Sequence, residues 1–436
     1  MKYENLLSEK GKYINDYVDL TGGTLAWSLY AKDKAKGYPG FINATIGSAT
    51  NDDGTLMILE TLKEEFANLT GDQLFGYANV RGVPSFIKAW QQDTLETFPT
   101  ELRKKAEKLS TLPVTACGGL TAGLSVVGQV FFSRGDTFLA PRCRWGNVDN
   151  VFFKNQRLKE RTYPIINENG ELHLNGLIES MKKTAKESKK FGIYLNFPNN
   201  PSGISPTMEQ LKYFQEAIEE LDTPAIIILD DAYEGYVYEK DAINHSLFPH
   251  LIGLNPDVLV VKVDGVSKRY FAYGTRLGLV TIGFGQEVDE KTKDDFRELL
   301  AKSARTIASS SPRGIQEAMA NILTDPEKKA KIKKEKERNI KILEKRYRTL
   351  KALLKEREND RAVFTAAKFN SGFFGYFLVV KQMKPKEIAQ ELLSRGLGVV
   401  PFINKETGLH GIRFAFCSVK NEEIEKAVDI IYSIEK

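Results

Sequence analysis

Through the middle of the chain, short apolar runs alternate with longer amphipathic segments. The runs "LPVTACGG", "DTFLAPRCR", "FGIYLNFPNN", "PAIIILDDAY", "DVLVVKVDG" and "LGLVTIGFG" are bounded by Gly, Pro, Asn and Asp. Runs of this kind predict strands of a covered, mostly parallel sheet, with helices such as "TMEQLKYFQEAIEEL" between them. The expected unit is a large α/β domain.

From Asp325 the pattern changes. In "DPEKKAKIKKEKERNIKILEKRYRTLKALLKEREND", Ile340, Leu343, Tyr347, Leu350 and Leu354 recur at steps of three and four, which predicts one long helix with an apolar stripe and a charged back. Glutamates interleave with its lysines, so the basic face reads as solvated surface and not as a nucleic-acid contact. The remainder, with "SGFFGYFLVV", "GLGVVPF" and "GIRFAFCSV" around the helix "KPKEIAQELLSRG", predicts a smaller α+β domain. The expected division is a large domain over 57–325 and a small one from 1–56 with 326–436, joined through the helix at about 326–358.

Composition narrows this picture. With 436 residues, 42% hydrophobic and 27% charged, the chain is long enough for two domains with a sizeable core and is not of disordered type. A net charge of +5 from 62 basic and 57 acidic residues is too small and too mixed to call for nucleic acid. Cys117, Cys143 and Cys417 are far apart with no CxxC pair, and read as three buried thiols in a reducing compartment. The four histidines (His173, His245, His250, His410) do not cluster, so no metal site is expected. The beginning "MKYENLLSEKGKY" lacks a signal-peptide layout and no run approaches the roughly 20 apolar residues that span a bilayer, so a cytoplasmic protein without membrane contact is expected.

Ligands of open α/β sheets bind at the carboxyl ends of the strands, so the residues closing each run carry the candidate chemistry. "PAIIIL" closes in Asp230 and Asp231, and a carboxylate there must be paired or hydrogen-bonded; a helix cap or a loop salt bridge would serve as well as a ligand contact. "GIYLNFP" closes in the turn "NNPSG" with Asn200. "PVTACGGLTAG" passes from strand through a glycine pair into a helix, a shape that admits an anion at the helix N-terminus although no nucleotide motif accompanies it. Trp145 follows the strand of "DTFLAPRCRWGN". After "DVLVVKV" comes Lys268, with Arg276 eight residues on. A partly desolvated amine is a nucleophile towards carbonyls, and an arginine fork suits a phosphate. One cofactor needs all of these at once: pyridoxal phosphate requires an amine for its aldehyde, a carboxylate for its ring nitrogen, donors at its hydroxyl, a flat stacking partner and an anion cradle.

The order of these motifs resembles the fold type I pyridoxal-phosphate enzymes, and within them the class I aminotransferases, closest to the aspartate and aromatic subgroup. The likeness runs over nearly the whole length. "SKRYFAYGTRLG" is similar to the family's Schiff-base segment, which implies Lys268 as the lysine on the aldehyde, Ser267 beside it and Arg276 as the phosphate arginine. "DDAY" implies Asp230 at the ring nitrogen and Tyr233 at the ring hydroxyl, with Asn200 of "NNPSG" as that hydroxyl's second partner. "CGGLTAG" stands where the phosphate loop falls, so that Gly118, Gly119 and Leu120 would offer backbone N–H groups. Trp145 matches the stacking tryptophan, and Tyr77 in "FGYANVRG" matches a tyrosine reaching the neighbouring subunit's phosphate. Arg413 in "GIRFAF" corresponds to the clamp on the substrate α-carboxylate, Gly47 to the substrate loop, and Arg305 to the arginine that grips a distal carboxylate across the dimer.

The resemblance implies a homodimeric aminotransferase exchanging an amino group between an L-amino acid, dicarboxylic or aromatic by preference, and a 2-oxo acid, in a ping-pong cycle through Lys268. Three departures bear on specificity. Gly265 stands where the family commonly has Ser or Thr, so Ser267 or Thr121 would have to supply the hydroxyl; Val148 replaces the histidine that supports the ring-nitrogen carboxylate; and the loop after Gly47 lacks the subgroup's aromatic residue. A lyase, decarboxylase or synthase on the same fold is the alternative, and a non-catalytic cofactor-binding regulator a more distant one.

Overall fold

A computed structural model of the chain describes residues 4–12, 23–357, 363–379, 383–402 and 410–434. Seven strands form its principal sheet: β1 (Val114–Cys117), β2 (Thr137–Pro141), β3 (Lys159–Tyr163), β4 (Phe191–Leu195), β5 (Ala225–Asp230), β6 (Val258–Gly265) and β7 (Leu277–Gly283). Their order is β1-β7-β6-β5-β4-β2-β3. All pairs are parallel except those of β7, which runs antiparallel to β1 and β6. The six apolar runs each supply one of these strands. The seventh, β3, is the edge strand "KERTY", in which only Tyr163 is buried and which therefore carries no apolar run.

A smaller antiparallel sheet follows, with β8 (Phe364–Ala366), β9 (Gly375–Val379), β10 (Val400–Phe402) and β11 (Gly411–Phe414) in the order β10-β11-β9-β8. The chain's early segment joins this side, because Ile42–Asn43 pairs in parallel with Leu397–Gly398.

Six helices matter for the site: α1 (Thr24–Ala35), α2 (Pro84–Thr97), α3 (Leu120–Phe131), α4 (Val266–Arg269), α5 (Glu290–Ile307) and α6 (Pro326–Glu356). Helices α3 and α5 cover one face of the principal sheet, burying Leu124, Val127, Leu300 and Ala304 against Ile228, Val261, Val263 and Val280. A glycine makes this approach close: a Cβ on Gly123 would lie 2.7 Å from Val263. In α6, Asp325 caps the amides of Glu327 and Lys328 and Pro326 occupies the first position. Leu343, Tyr347, Leu350 and Leu354 are buried as the stripe predicts, while Ile340 is only partly so; the predicted last residue, 358, lies outside the described residues. No helix among the described residues is long and apolar enough to cross a membrane. Cys143 and Cys417 are buried, but Cys117 is partly exposed, which corrects the expectation of three buried thiols. Its strand ends at the mouth of the glycine turn, where the covering helix has only begun.

A lysine inside a buried strand needs explaining. Lys262, in the middle of β6, has a side chain 1% exposed, and its ammonium lies 2.6 Å from Asp231, 2.7 Å from Glu234 and 3.3 Å from Asp264. Arg269 adds a second cation, 2.6 Å from Asp93 of α2 and within 4 Å of Glu234 and Asp264. This cluster ties α2 and α4 to the sheet directly behind the ends of β5 and β6. Lys262→Met would take from Asp231 its cation and leave Glu234 and Asp264 to share Arg269 with Asp93, so unfolding free energy is expected to fall by about 3–5 kcal/mol. Urea unfolding checks this, and an unchanged midpoint would show that the cluster contributes no net stability.

Candidate active site

The strand ends converge on a cavity of about 270 Å3 between the principal sheet, the smaller sheet and the early segment. Asp230 is the last residue of β5, and Asn196 and Asn200 come from the turn after β4. Ser267 and Lys268 lie on the one-turn helix α4 after β6, and Arg276 immediately precedes β7. Leu120 and Thr121 open α3, Trp145 follows β2, Arg413 sits in β11, and Gly47 lies in the early segment. Tyr233 lines the same space.

Asp230 is 3% exposed. One carboxylate oxygen accepts the Ala232 amide at 3.2 Å and the other accepts the Tyr194 hydroxyl at 2.7 Å, while its backbone carbonyl accepts the Asn196 side-chain amide at 2.8 Å. Among the described residues it forms no ion pair, and burial raises its pKa, only partly offset by these donors and by the Lys268 charge. Its neighbour Asp231 turns the other way, to Lys262 and Ser246. The pair "DD" thus divides between the salt-bridge and ligand-facing alternatives.

Lys268 extends its ammonium over the Tyr273 ring, 5.0 Å from the centroid, and makes no ion pair among the described residues. Burial brings its pKa down to about 8, with Arg276 and Arg413 adding to the effect against the pull of Asp230. The turn that carries it is held by the Tyr236 hydroxyl, which donates to the Lys268 carbonyl at 2.6 Å. Tyr273 in turn accepts the Ala49 amide at 3.0 Å, joining the lysine segment to the early loop that carries Gly47.

Arg413 is 2% exposed. It donates to the Asn200 side chain at 3.1 Å and to the Thr45 carbonyl at 2.9 Å, with its guanidinium 4.2 Å from the Phe374 ring centroid. Its Nε has no partner among the described residues, and burial lowers its pKa to about 10. Tyr233 hydrogen-bonds Asn200 and is raised in pKa by burial, so it stays a neutral hydroxyl.

The glycine turn departs from expectation. The amides of Gly118 and Gly119 do not face the cavity; both donate to the Arg276 carbonyl, at 2.9 and 2.8 Å. They hold Arg276 in a left-handed conformation, φ +52°, while its guanidinium donates back to the Gly118 carbonyl at 2.9 Å. The glycines are required by their backbone, φ +116° at Gly118 and +73° at Gly119, a region that side chains with a Cβ rarely adopt. The amides of Leu120 and Thr121, which begin α3 and have no acceptor within the helix, are the ones left free on this turn. Gly265 has an equally local cause: a Cβ there would come 2.4 Å from the Leu277 carbonyl, so neither Ser nor Thr fits. The Ser267 hydroxyl is buried on the cavity wall without a hydrogen-bond partner among the described residues.

Tyr77 and Arg305 do not line the cavity. Tyr77 is 89% exposed, and Arg305 is exposed on the last turn of α5. Thr24, Ser48, Asn196, Ala232 and Phe374 line it without having been anticipated. Asn196, at the end of an apolar run, carried the same polar signal as Asn200; Phe374 in "SGFFGYF" carried none beyond that of a core residue.

The sequence profile of the family described as aminotransferase class I and II matches residues 39–431. The cytoplasmic aspartate aminotransferase of Saccharomyces cerevisiae is 26% identical over 293 residues, which span 66% of this chain and 68% of that protein. The mitochondrial aspartate aminotransferase of Arabidopsis thaliana is 25% identical over 303 residues, 67% of this chain and 65% of that protein. The matched stretches thus span about two thirds of these relatives. Among solved structures, an aminotransferase from Anaerococcus prevotii superposes with a TM-score of 0.83 at 19% identity, covering 98% of both chains. An archaeal alanine:glyoxylate aminotransferase superposes with a TM-score of 0.77 at 20% identity, covering 100% of this chain and 99% of its own. At these identities the structural likeness is one of fold.

Proposed function

The chain belongs to the class I and II aminotransferases, and we propose that it moves an amino group between an L-amino acid, dicarboxylic or aromatic by preference, and a 2-oxo acid in a ping-pong cycle. The main support is one convergence: a lysine and a buried carboxylate that form no ion pair among the described residues meet two guanidiniums in a single cavity. The groups fit pyridoxal phosphate. The orphaned Ser267 hydroxyl, the unpaired Leu120 and Thr121 amides and Arg276 gather at one end, where a phosphate would be held, and the undercompensated Asp230 is suited to a protonated ring nitrogen. Trp145 would stack on the ring, Asn200 and Tyr233 would hold its hydroxyl, and Lys268 would hold its aldehyde. When bound, the coenzyme supplies a carbonyl that condenses with an amine and a protonated ring that accepts the electrons left behind when a Cα proton departs.

The chain's own residues do the rest. Arg413, held by Asn200 and Thr45 on the cavity wall, takes the α-carboxylate and so fixes which bond at Cα breaks. Lys268 Nζ, with a pKa near 8, accepts the Cα proton and delivers it onward. Phe374 packs on Arg413 and beside Gly47, walling the substrate side of the cavity.

Because Tyr77 and Arg305 lie at the surface and outside the cavity, they could act only on a partner copy's site, which fits a homodimer. Phe75 and Tyr77, 87% and 89% exposed, form an apolar surface suited to burial between subunits. A panel of twenty amino acids with 2-oxoglutarate tests the reaction. Keto acid formed without ammonia or CO2 is expected, and release of either in its place would favour a lyase or decarboxylase. Arg305→Ala is expected to raise KM for aspartate and glutamate about 10- to 100-fold, the worth of one charge-assisted bond, while leaving aromatic donors unaffected. Equal effects on both donor classes would remove Arg305 from the specificity assignment.

A further inference from the structure

We propose that Tyr194 is a positioning residue for Asp230, its hydroxyl fixing and hydrogen-bonding the carboxylate in place of the imidazole expected at residue 148. The proposal rests on Asp230 being the partner of the coenzyme's ring nitrogen.

Of the donors to the Asp230 carboxylate, the Tyr194 hydroxyl is the closer, 2.7 Å against 3.2 Å for the Ala232 amide, and is the one that belongs to a side chain. It arrives from the neighbouring strand: Tyr194 in β4 pairs with Ile228 in β5, so the tyrosine reaches along the sheet face to the carboxylate two residues further on. That reach is fixed at several points. Tyr194 is 1% exposed, its carbonyl accepts the Tyr163 hydroxyl at 2.9 Å, and its ring packs on Phe152, 6.4 Å between centroids. Phe152 is itself stacked on Phe138 at 4.2 Å. Val148, Val151 and Phe152 belong to the same buried cluster and their side chains offer no hydrogen bond, so the position that would carry an imidazole is apolar here.

A phenol differs from an imidazole in what pH does to it. Burial and the adjacent Asp230 charge push the Tyr194 pKa well above its ordinary value, so the hydroxyl remains a donor throughout the working range. An imidazole would change charge near neutrality. The support given to Asp230 therefore does not switch off near neutrality, where an imidazole's would change.

Tyr194→Phe removes one oxygen and keeps the ring that packs on Phe152. In the coenzyme-loaded enzyme, the half-reaction with the best donor from the amino-acid panel is expected to slow about 10-fold or more, the worth of a hydrogen bond to a charged group. Pyridoxal phosphate titrated into stripped protein should bind more weakly, and the pH midpoint of the bound coenzyme's absorbance should move. In an Asp230→Asn background the same change should add nothing to either loss. Wild-type affinity, absorbance midpoint and half-reaction rate in Tyr194→Phe would overturn the proposal, as would equal losses in both backgrounds, which mark a general packing role. If Asp230→Asn alone leaves rate and coenzyme affinity intact, the reading of Asp230 has failed, and the proposal with it.

Discussion

Lys268→Ala protein is expected to lose transamination by about 10²–10⁴-fold from the missing acid–base group alone, and by more if, as proposed, the same amine holds the coenzyme. The lysine's surroundings make the expectation specific. It stands on a one-turn helix at the end of a buried strand, without a counter-ion among the described residues, and burial brings its pKa down to about 8, helped by Arg276 and Arg413. The direction matters for pH. An ordinary lysine is half deprotonated only at about pH 10.4, whereas this one reaches that point at about pH 8. Reduction of wild-type protein with borohydride in the presence of pyridoxal phosphate should therefore label residue 268 with a midpoint near pH 8. Labelling at other lysines should rise only at higher pH. Full turnover by Lys268→Ala, or labelling that spares residue 268, would sink the assignment.

The large sheet was legible because its central strands are buried on both faces, so each apolar run had one explanation. The edge strand β3 was not, since all but the last residue of "KERTY" are polar and at least partly exposed, and the segment reads as loop. The same reasoning explains which site residues could be read. Asp230, Asn200, Lys268 and Arg276 are polar groups set at the ends of apolar runs, a placement that burial makes costly without a partner. Tyr194 has the opposite disguise. Within "FGIYL" it counts as one more apolar strand residue, and only the register of β4 against β5 brings its hydroxyl to Asp230.

The glycine turn shows a subtler limit. The sequence pattern marks a place where backbone approaches something closely, without saying what. Gly118 and Gly119 turn out to bind the Arg276 carbonyl, so they fix the arginine and leave the amides that follow free. Gly265 likewise looked like a lost hydroxyl. It is a point where β6 and β7 come too close for any side chain, with Ser267 supplying an unpaired hydroxyl two residues on. Lys262 was visible in "DVLVVKV" as a charge inside a strand, but its partners come from 31, 28 and 2 residues away in sequence and required the fold to be identified.

Asp230→Asn should separate activity from stability. The carboxylate is buried beside neutral donors, and desolvation raises its pKa above the 3.8 of an unfolded aspartate. Between 3.8 and that raised value the folded chain holds more protons than the unfolded one, so stability falls as pH rises through this window, and the cost persists at neutral pH. Asparagine has the same shape and can exchange hydrogen bonds with the Tyr194 hydroxyl and the Ala232 amide without carrying the charge. Coenzyme-free Asp230→Asn is accordingly expected to melt above coenzyme-free wild type. With coenzyme present the order should reverse, because a protonated ring nitrogen gives the wild-type carboxylate the cation its site lacks. Loss of one partner from a buried charge pair of this kind costs about 2–5 kcal/mol, or about 30- to 5000-fold in the half-reaction. Melting curves with and without pyridoxal phosphate, read beside the half-reaction rate, test both parts. Wild-type turnover would remove Asp230 from the ring nitrogen, and a coenzyme-free variant that melts below wild type would contradict the burial cost from which the prediction starts.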